Sequence, residues 1–290
     1  MSWLFEPGWW STPSMRTALA VGAIVAVGSA VVGLFVVVRG QSFAGHALTD
    51  VAAAGGAGAA YAGVTQLAGF LGGTILGAGA MEAVGVDRIR RRDVATGTVL
   101  GAAYGLTALF LFLASTSSSS SGTAQTVLFG SVFLVSPSDV PTIALASLGA
   151  IVVVVVIARP LQVATLAPEL ARARGVRTRM VGALFLVTMA VAVGLSSVVV
   201  GSILSTALLI GPAAAALRVA RRWSSAAAIA AALGVVATSL GVLLSYNSYY
   251  WSASHRSLPV SFFVVAVVIV QYVGAVALSG RRGATRARGA

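Results

Sequence analysis

Nine stretches of about 20 predominantly apolar residues, each bounded by charge, proline or polar clusters, make up most of this chain: 15–38, 45–64, 66–86, 94–114, 139–158, 180–200, 202–217, 225–245 and 258–279. A helix needs about 20 such residues to cross the hydrocarbon core of a bilayer, so the spacing predicts an all-α, polytopic transmembrane bundle. The window 202–217 is short and can pair with its neighbour as one broken helix, which puts the expectation at about 8 to 10 helices. A further apolar piece, 124–135, lies between a serine run and "SPSDVP" and is too short to cross, so a re-entrant or interfacial segment is expected there. With 58% of residues hydrophobic and only 9% charged, a soluble domain is excluded, because a soluble surface needs about a quarter of the chain charged. The whole of 1–290 reads as one membrane domain, with 281–290 as a flexible basic tail.

The net charge of +12 comes entirely from arginine, and no lysine occurs. In a soluble chain that balance would suggest nucleic acid, whereas in a membrane chain it reads out topology. The arginines cluster at 88–92, 159–179, 218–222 and 281–288, each after an odd-numbered window when the N-terminus is outside. The positive-inside rule makes those ends, and the C-terminus, cytoplasmic. The serine- and aromatic-rich loops "STSSSSSGT" and "SYNSYYWSASHRS" fall on the outer side, with Trp9, Trp10, Tyr249, Tyr250 and Trp251 arranged as an aromatic belt. The opening residues lack a basic segment followed by a short apolar one, so no removable signal peptide is expected.

Several chemistries are ruled out at this level. Without cysteine there is no disulfide, thiolate metal site or cysteine nucleophile. Without lysine there is no G-x-x-x-x-G-K-[ST] phosphate loop, so the chain has no ATPase site of its own. Neither a nucleophile elbow nor an H-E-x-x-H helix occurs, and seven acidic residues with two histidines leave little for an enzyme.

Against that background "RGQSFAGHALTD", 39–50, is unusual because it sets His46 and Asp50 at the start of an apolar window. Four residues apart on a helix, they share one face. An ionisable side chain at membrane depth costs about 2.5–3.5 kcal/mol or more and ordinarily pairs, faces a cavity or serves transport. Imidazole with carboxylate suits zinc, manganese or iron(II). Two ligands are too few for a complete site, but a symmetric homodimer with this face on its axis would supply four. The alternative is that the pair only caps a helix start near the membrane surface. Depth is a difficulty: Arg39 draws this junction toward the cytoplasmic side, whereas a receiving site is expected nearer the middle, and a kinked second helix would reconcile the two. Small residues on most faces of the second and third windows predict that both helices are central. Glu82 reads as an interfacial ion-pair member near Asp87 and Arg88 with a second metal ligand as the alternative, His255 as a solvated residue or a contact for a metal-delivery protein, and Asp139 as a helix cap.

Three stretches carry a resemblance to the zinc/manganese/iron-type permeases of ABC transporters. Over 36–51 this chain reads "VVVRGQSFAGHALTDV" where that family resembles "VVLRxMSxxGDALSHA". Arg39, Ser42, Gly45, Ala47 and Leu48 fall in frame, while His46 and Asp50 stand where the family has aspartate and histidine, exchanging the ligands without losing either. The segment "RPLQVATLAPELARARGVRTR", 159–179, resembles a cytoplasmic segment of the form "F(D/P)xExARxxG". Its own residues predict a short helix: Pro168 and Glu169 suit a first turn, Arg172 and Arg174 the C-terminal end, and Gly175 the position just past it. "VGSILSTALLIGPAAAALRVARR", 200–222, resembles "VGxLLVxALLIxPAAxARLL", and Pro212 is expected to interrupt that helix beside the pore.

The resemblance implies a homodimeric importer permease of the metal/vitamin-B12-permease-like type in the bacterial cytoplasmic membrane. It implies a separate ATP-binding subunit, an extracellular metal-binding lipoprotein, and a transported divalent ion (zinc or manganese, with iron as a third candidate) as substrate, with no resident cofactor. His46 and Asp50 would be the metal waypoint, and the helix around Pro168, Glu169, Arg172, Arg174 and Gly175 would fit a groove on the ATPase. An arginine-rich loop that only sets topology is the alternative for that segment. Two rivals stay open for the whole: a permease for chelated iron or a corrinoid, and an ion-coupled secondary transporter with Asp50 as proton relay.

Overall fold

A computed structural model describes residues 12–84, 92–117, 122–130, 132–251 and 257–287. Among the described residues there is only helix and turn. The helices are α1 (Pro13–Val38), α2 (Ser42–Ala62), α3 (Gln66–Val84), α4 (Arg92–Ser117), α5 (Thr123–Phe129), α6 (Val140–Leu166), α7 (Pro168–Ala173), α8 (Thr178–Val200), α9 (Ser205–Val219), α10 (Trp223–Trp251) and α11 (Val260–Ala287). Seven of them, α1, α3, α4, α6, α8, α10 and α11, are long and apolar enough to cross a membrane. With α2, which is 21 residues long but carries His46 and Asp50, and the short α9, they correspond to the nine apolar windows. The chain is therefore a multi-pass membrane protein. The apolar piece at 124–135 forms α5 and a 3-10 turn, too short to span.

The bundle is organised around α1 and α8, whose apolar windows are 67% and 78% buried against 17–33% for the other spanning helices. They cross with Ser29 Oγ and Ser196 Oγ 2.7 Å apart, and Ser147 of α6 donates to the Ile24 carbonyl at 3.0 Å, so polar groups inside the bundle are satisfied helix to helix. On one flank α2, α3 and α4 pack together; on the other, α9, α10 and α11. Close approach is permitted by glycine: a Cβ at Gly33 of α1 would overlap the Leu209 carbonyl of α9, and Gly55 of α2 meets Gly69 and Gly73 of α3.

Three expectations need correction. The small-residue content of α3 does not make it central: only Phe70, Thr74, Gly77, Ala78 and Met81 are buried, because Gly69, Gly73 and Gly77 repeat every four residues and serve the single face against α2. Pro212 does not interrupt its helix. It lies inside α9, and the interruption falls at Gly201–Leu204, where Gly201 (φ +84°) ends α8. Proline removes one backbone donor and crowds the preceding turn, which a short packed helix tolerates, whereas a positive φ at Gly201 cannot continue an α-helix. Asp139 occupies the residue before α6 but makes no capping bond through its side chain. Helix α11 extends through Ala287, into the segment 281–290. Asp87, Arg88, Trp9, Trp10 and His255 lie outside the described residues.

Candidate metal site and coupling helix

The turn between α1 and α2 sets the site. Arg39 closes α1, Gly40 takes φ +61°, and the amides of Gly40 and Gln41 return to the carbonyls of Val37 and Val36 at 3.1 and 2.9 Å. This is a Schellman ending, available because glycine adopts the left-handed region without a Cβ penalty. It ends α1 and starts α2 within three residues, so His46 and Asp50 fall in the first two turns of α2.

The depth of these two side chains follows from their neighbours. Gly45 packs against Leu209 of α9 and Met189 of α8, and Val51 fits the space left by Gly77 of α3. Met189 and Gly77 lie near the midpoints of helices spanning Thr178–Val200 and Gln66–Val84. The pair thus stands beside the middle of α3 and α8, while the ends of those helices that carry Arg179 and Glu82 project well past the turn. Helix α2 runs unbroken from Ser42 to Ala62, and the turn before it lies level with the last turn of α6 and the first residue of α10, where Arg39 bonds Thr165 and Phe35 stacks on Trp223.

His46 Nε2 is 3.8 Å from Asp50 Oδ2. The side chain of His46 is 43% exposed and that of Asp50 12%. Three hydroxyls that spacing alone did not single out complete the surroundings. Thr206 at the start of α9 bonds His46 Nδ1 at 3.3 Å, Thr49 donates to the His46 carbonyl at 2.6 Å, and Tyr104 of α4 lies near the Asp50 carboxylate. Neither Thr206 nor Tyr104 had a signal in the sequence: the break of the 200–222 stretch was expected at Pro212, beyond Thr206, and α4 meets α2 only through packing. The group offers one nitrogen, one carboxylate and neutral oxygens, a donor set suited to a borderline or hard divalent cation and incomplete within one chain. Among the described residues no third histidine, aspartate or glutamate joins the pair.

The second predicted element also forms. Helix α7 begins at Pro168 with Glu169 in its first turn and Arg172 in its last, and Gly175 (φ +75°) closes it. The amides of Gly175 and Val176 bond the carbonyls of Arg172 and Ala171, both at 2.9 Å, another Schellman ending. Ala171 alone is buried; Pro168, Glu169, Leu170, Arg172 and Arg174 are exposed on the same end of the bundle as the Arg179–Glu82 ion pair at 3.1 Å. Glu82 thus belongs to an ion pair, as expected, but with Arg179 as its partner.

Residues 11–277 match the model of the ABC 3 transport family. This chain belongs to that family. Comparable proteins are the manganese transport system membrane protein MntC of Listeria innocua, 28% identical over 247 residues that cover 84% of this chain and 85% of the relative. The manganese import system permease protein ScaB of Streptococcus parasanguinis is 26% identical over 81% of each chain. Among solved structures, PsaBC from Streptococcus pneumoniae in complex with Fab superimposes with a TM-score of 0.77 over 92% of both chains at 22% identity, a likeness of fold. The resemblance carried by 36–51, 159–179 and 200–222 is thereby borne out for the chain as a permease of the metal-ion ABC type.

Proposed function

We propose that this permease is the membrane subunit of an ATP-driven importer of a divalent metal ion, with manganese as cargo. The observation that carries the reading is the convergence, beside the middle of α8, of His46, Asp50 and the Thr206 hydroxyl. A histidine and a carboxylate at that depth are costly unless they face a cavity, a partner or a passing ion. Manganese is favoured over zinc and iron because the relatives are named for manganese, and because the oxygen-rich surroundings suit a hard cation.

The half-exposed His46 at mid-depth supports a symmetric homodimer in which a second copy supplies the remaining ligands. In the cytoplasmic membrane, a binding protein would deliver the ion from outside. Closure of an ATP-binding subunit around α7 would move the bundle from outward to inward access, with the C-terminus on the cytoplasmic side. Exposed Pro168, Glu169, Arg172 and Arg174 on a short rigid helix offer the docking element, and a lysine-free chain needs its motor elsewhere.

The test is elemental analysis of cells expressing the chain with its ATPase and binding protein, comparing wild type with His46→Ala/Asp50→Ala. Loss of manganese accumulation, with the complex still assembled and hydrolysing ATP, is the expected result. Unchanged accumulation would make the pair structural and turn the search toward chelated cargo.

A further inference from the structure

We infer that Thr49 and Thr206 preset the tautomer of His46, so that Nε2 is the lone-pair nitrogen offered to the ion. The inference rests on the reading of His46 as a metal ligand and adds two positioning residues to it. It follows from counting hydroxyl protons. Thr49 Oγ1 donates its one proton to the His46 carbonyl at 2.6 Å, so toward any other neighbour it can only accept. Thr206 Oγ1, 3.5 Å away, donates to Thr49 and thereby uses its own proton. Toward His46 Nδ1, at 3.3 Å, Thr206 is then an acceptor, and Nδ1 must carry the hydrogen.

The neutral ring consequently has its lone pair on Nε2, the nitrogen that faces Asp50 Oδ2. This is the arrangement in which a metal-bound histidine holds its other N–H on a second group, fixing ring orientation and raising basicity. Thr49 is fully buried, so its proton has no competing water. Thr206 is the second residue of α9, placed there by the break at Gly201–Leu204. The break therefore has a chemical consequence: it brings a hydroxyl to the imidazole from a different helix.

The experiment uses the full chain in lipid nanodiscs with His255→Gln, which leaves His46 as the single histidine. Nitrogen-15 spectra of the labelled ring, metal-free at about pH 8 where an ordinary imidazole is neutral, report which nitrogen is protonated. The expected result is Nδ1–H in the parent, a shift toward Nε2–H in Thr206→Val, and the parent spectrum in Thr206→Ser. An Nε2–H parent, or a tautomer indifferent to Thr206→Val, overturns the relay. Manganese uptake by the assembled transporter is the second readout: Thr206→Val is expected to raise KM by about tenfold with the maximal rate kept, and Thr206→Ser to restore it. A tautomer that shifts while uptake stays normal leaves the relay intact and overturns the ligand reading on which its function depends.

Discussion

Arg39 Nη1 donates to Thr165 Oγ1 at 3.1 Å, joining the turn before the ligand-bearing helix α2 to the last turn of α6, three residues before α7 begins. The guanidinium also lies 5.4 Å over the Phe185 ring of α8, and Phe35 stacks on Trp223 and meets Phe185 edge-on. One planar cation thus ties α1, α6 and α8 at the base of the site. Were α7 the element that docks the ATPase, this contact would link it to α2.

Removing the contact is expected to uncouple the transporter. Thr165→Val takes away one acceptor from a charged donor, an interaction worth about 1.5–3 kcal/mol, and Arg39→Lys loses the flat face that stacks on Phe185. Both variants are expected to keep ATP hydrolysis by the assembled complex while metal uptake falls about tenfold. Parallel loss of hydrolysis and uptake would instead make the contact structural.

Glu169→Arg is expected to abolish transport and leave membrane insertion and dimerisation intact. Glu169 is exposed in the first turn of α7, so the charge reversal changes a surface and not the packed core. Native electrophoresis of the membrane complex and an uptake assay report the two halves of the prediction, and normal uptake would remove α7 as the coupling element.

The exchange His46→Asp/Asp50→His keeps one imidazole and one carboxylate on the same helix face. It moves the imidazole away from Thr206 and so removes the acceptor at Nδ1. Uptake is expected to survive with a KM raised by about tenfold, whereas His46→Ala is expected to lose uptake altogether. Kinetics with manganese and zinc in turn would show whether the order of the two ligands also sets preference.

Gly33→Ala tests the packing of α1 on α9. Its Cβ would overlap the Leu209 carbonyl, a backbone atom that cannot swing aside, so a loss of about 1–3 kcal/mol and a lowered unfolding temperature are expected. Gly72→Ala is the matched control, with open space around the new methyl and no expected loss. Equal behaviour of the two in a thermal melt would contradict this packing.

Removing the Arg179–Glu82 pair with Glu82→Gln is expected to change stability by less than about 1 kcal/mol, because Arg179 is 82% exposed and solvent screens the attraction. A larger loss in the melt would mean that the pair is shielded by a partner.

Much of this was legible in the residues. The nine apolar windows became helices because apolar runs in lipid must satisfy every backbone group internally. Gly175 and Pro168 bounded α7 because backbone φ is a local property, and His46 and Asp50 shared a face because helical periodicity is local too. The arginine clusters, the missing lysine and the missing cysteine limited the chemistry without any coordinates. Tertiary structure decided what depends on distant segments. It anchored the α1–α2 turn through Arg39 to Thr165 and Phe185, more than a hundred residues away, and set the following turns of α2 beside the middle of α8 and α3. It moved the helix break from Pro212 to Gly201, and made α3 peripheral, since only packing selects which glycine face is used. It also brought Thr206 and Tyr104 to His46 and Asp50 from helices 54 to 160 residues away in sequence, where no local periodicity reaches.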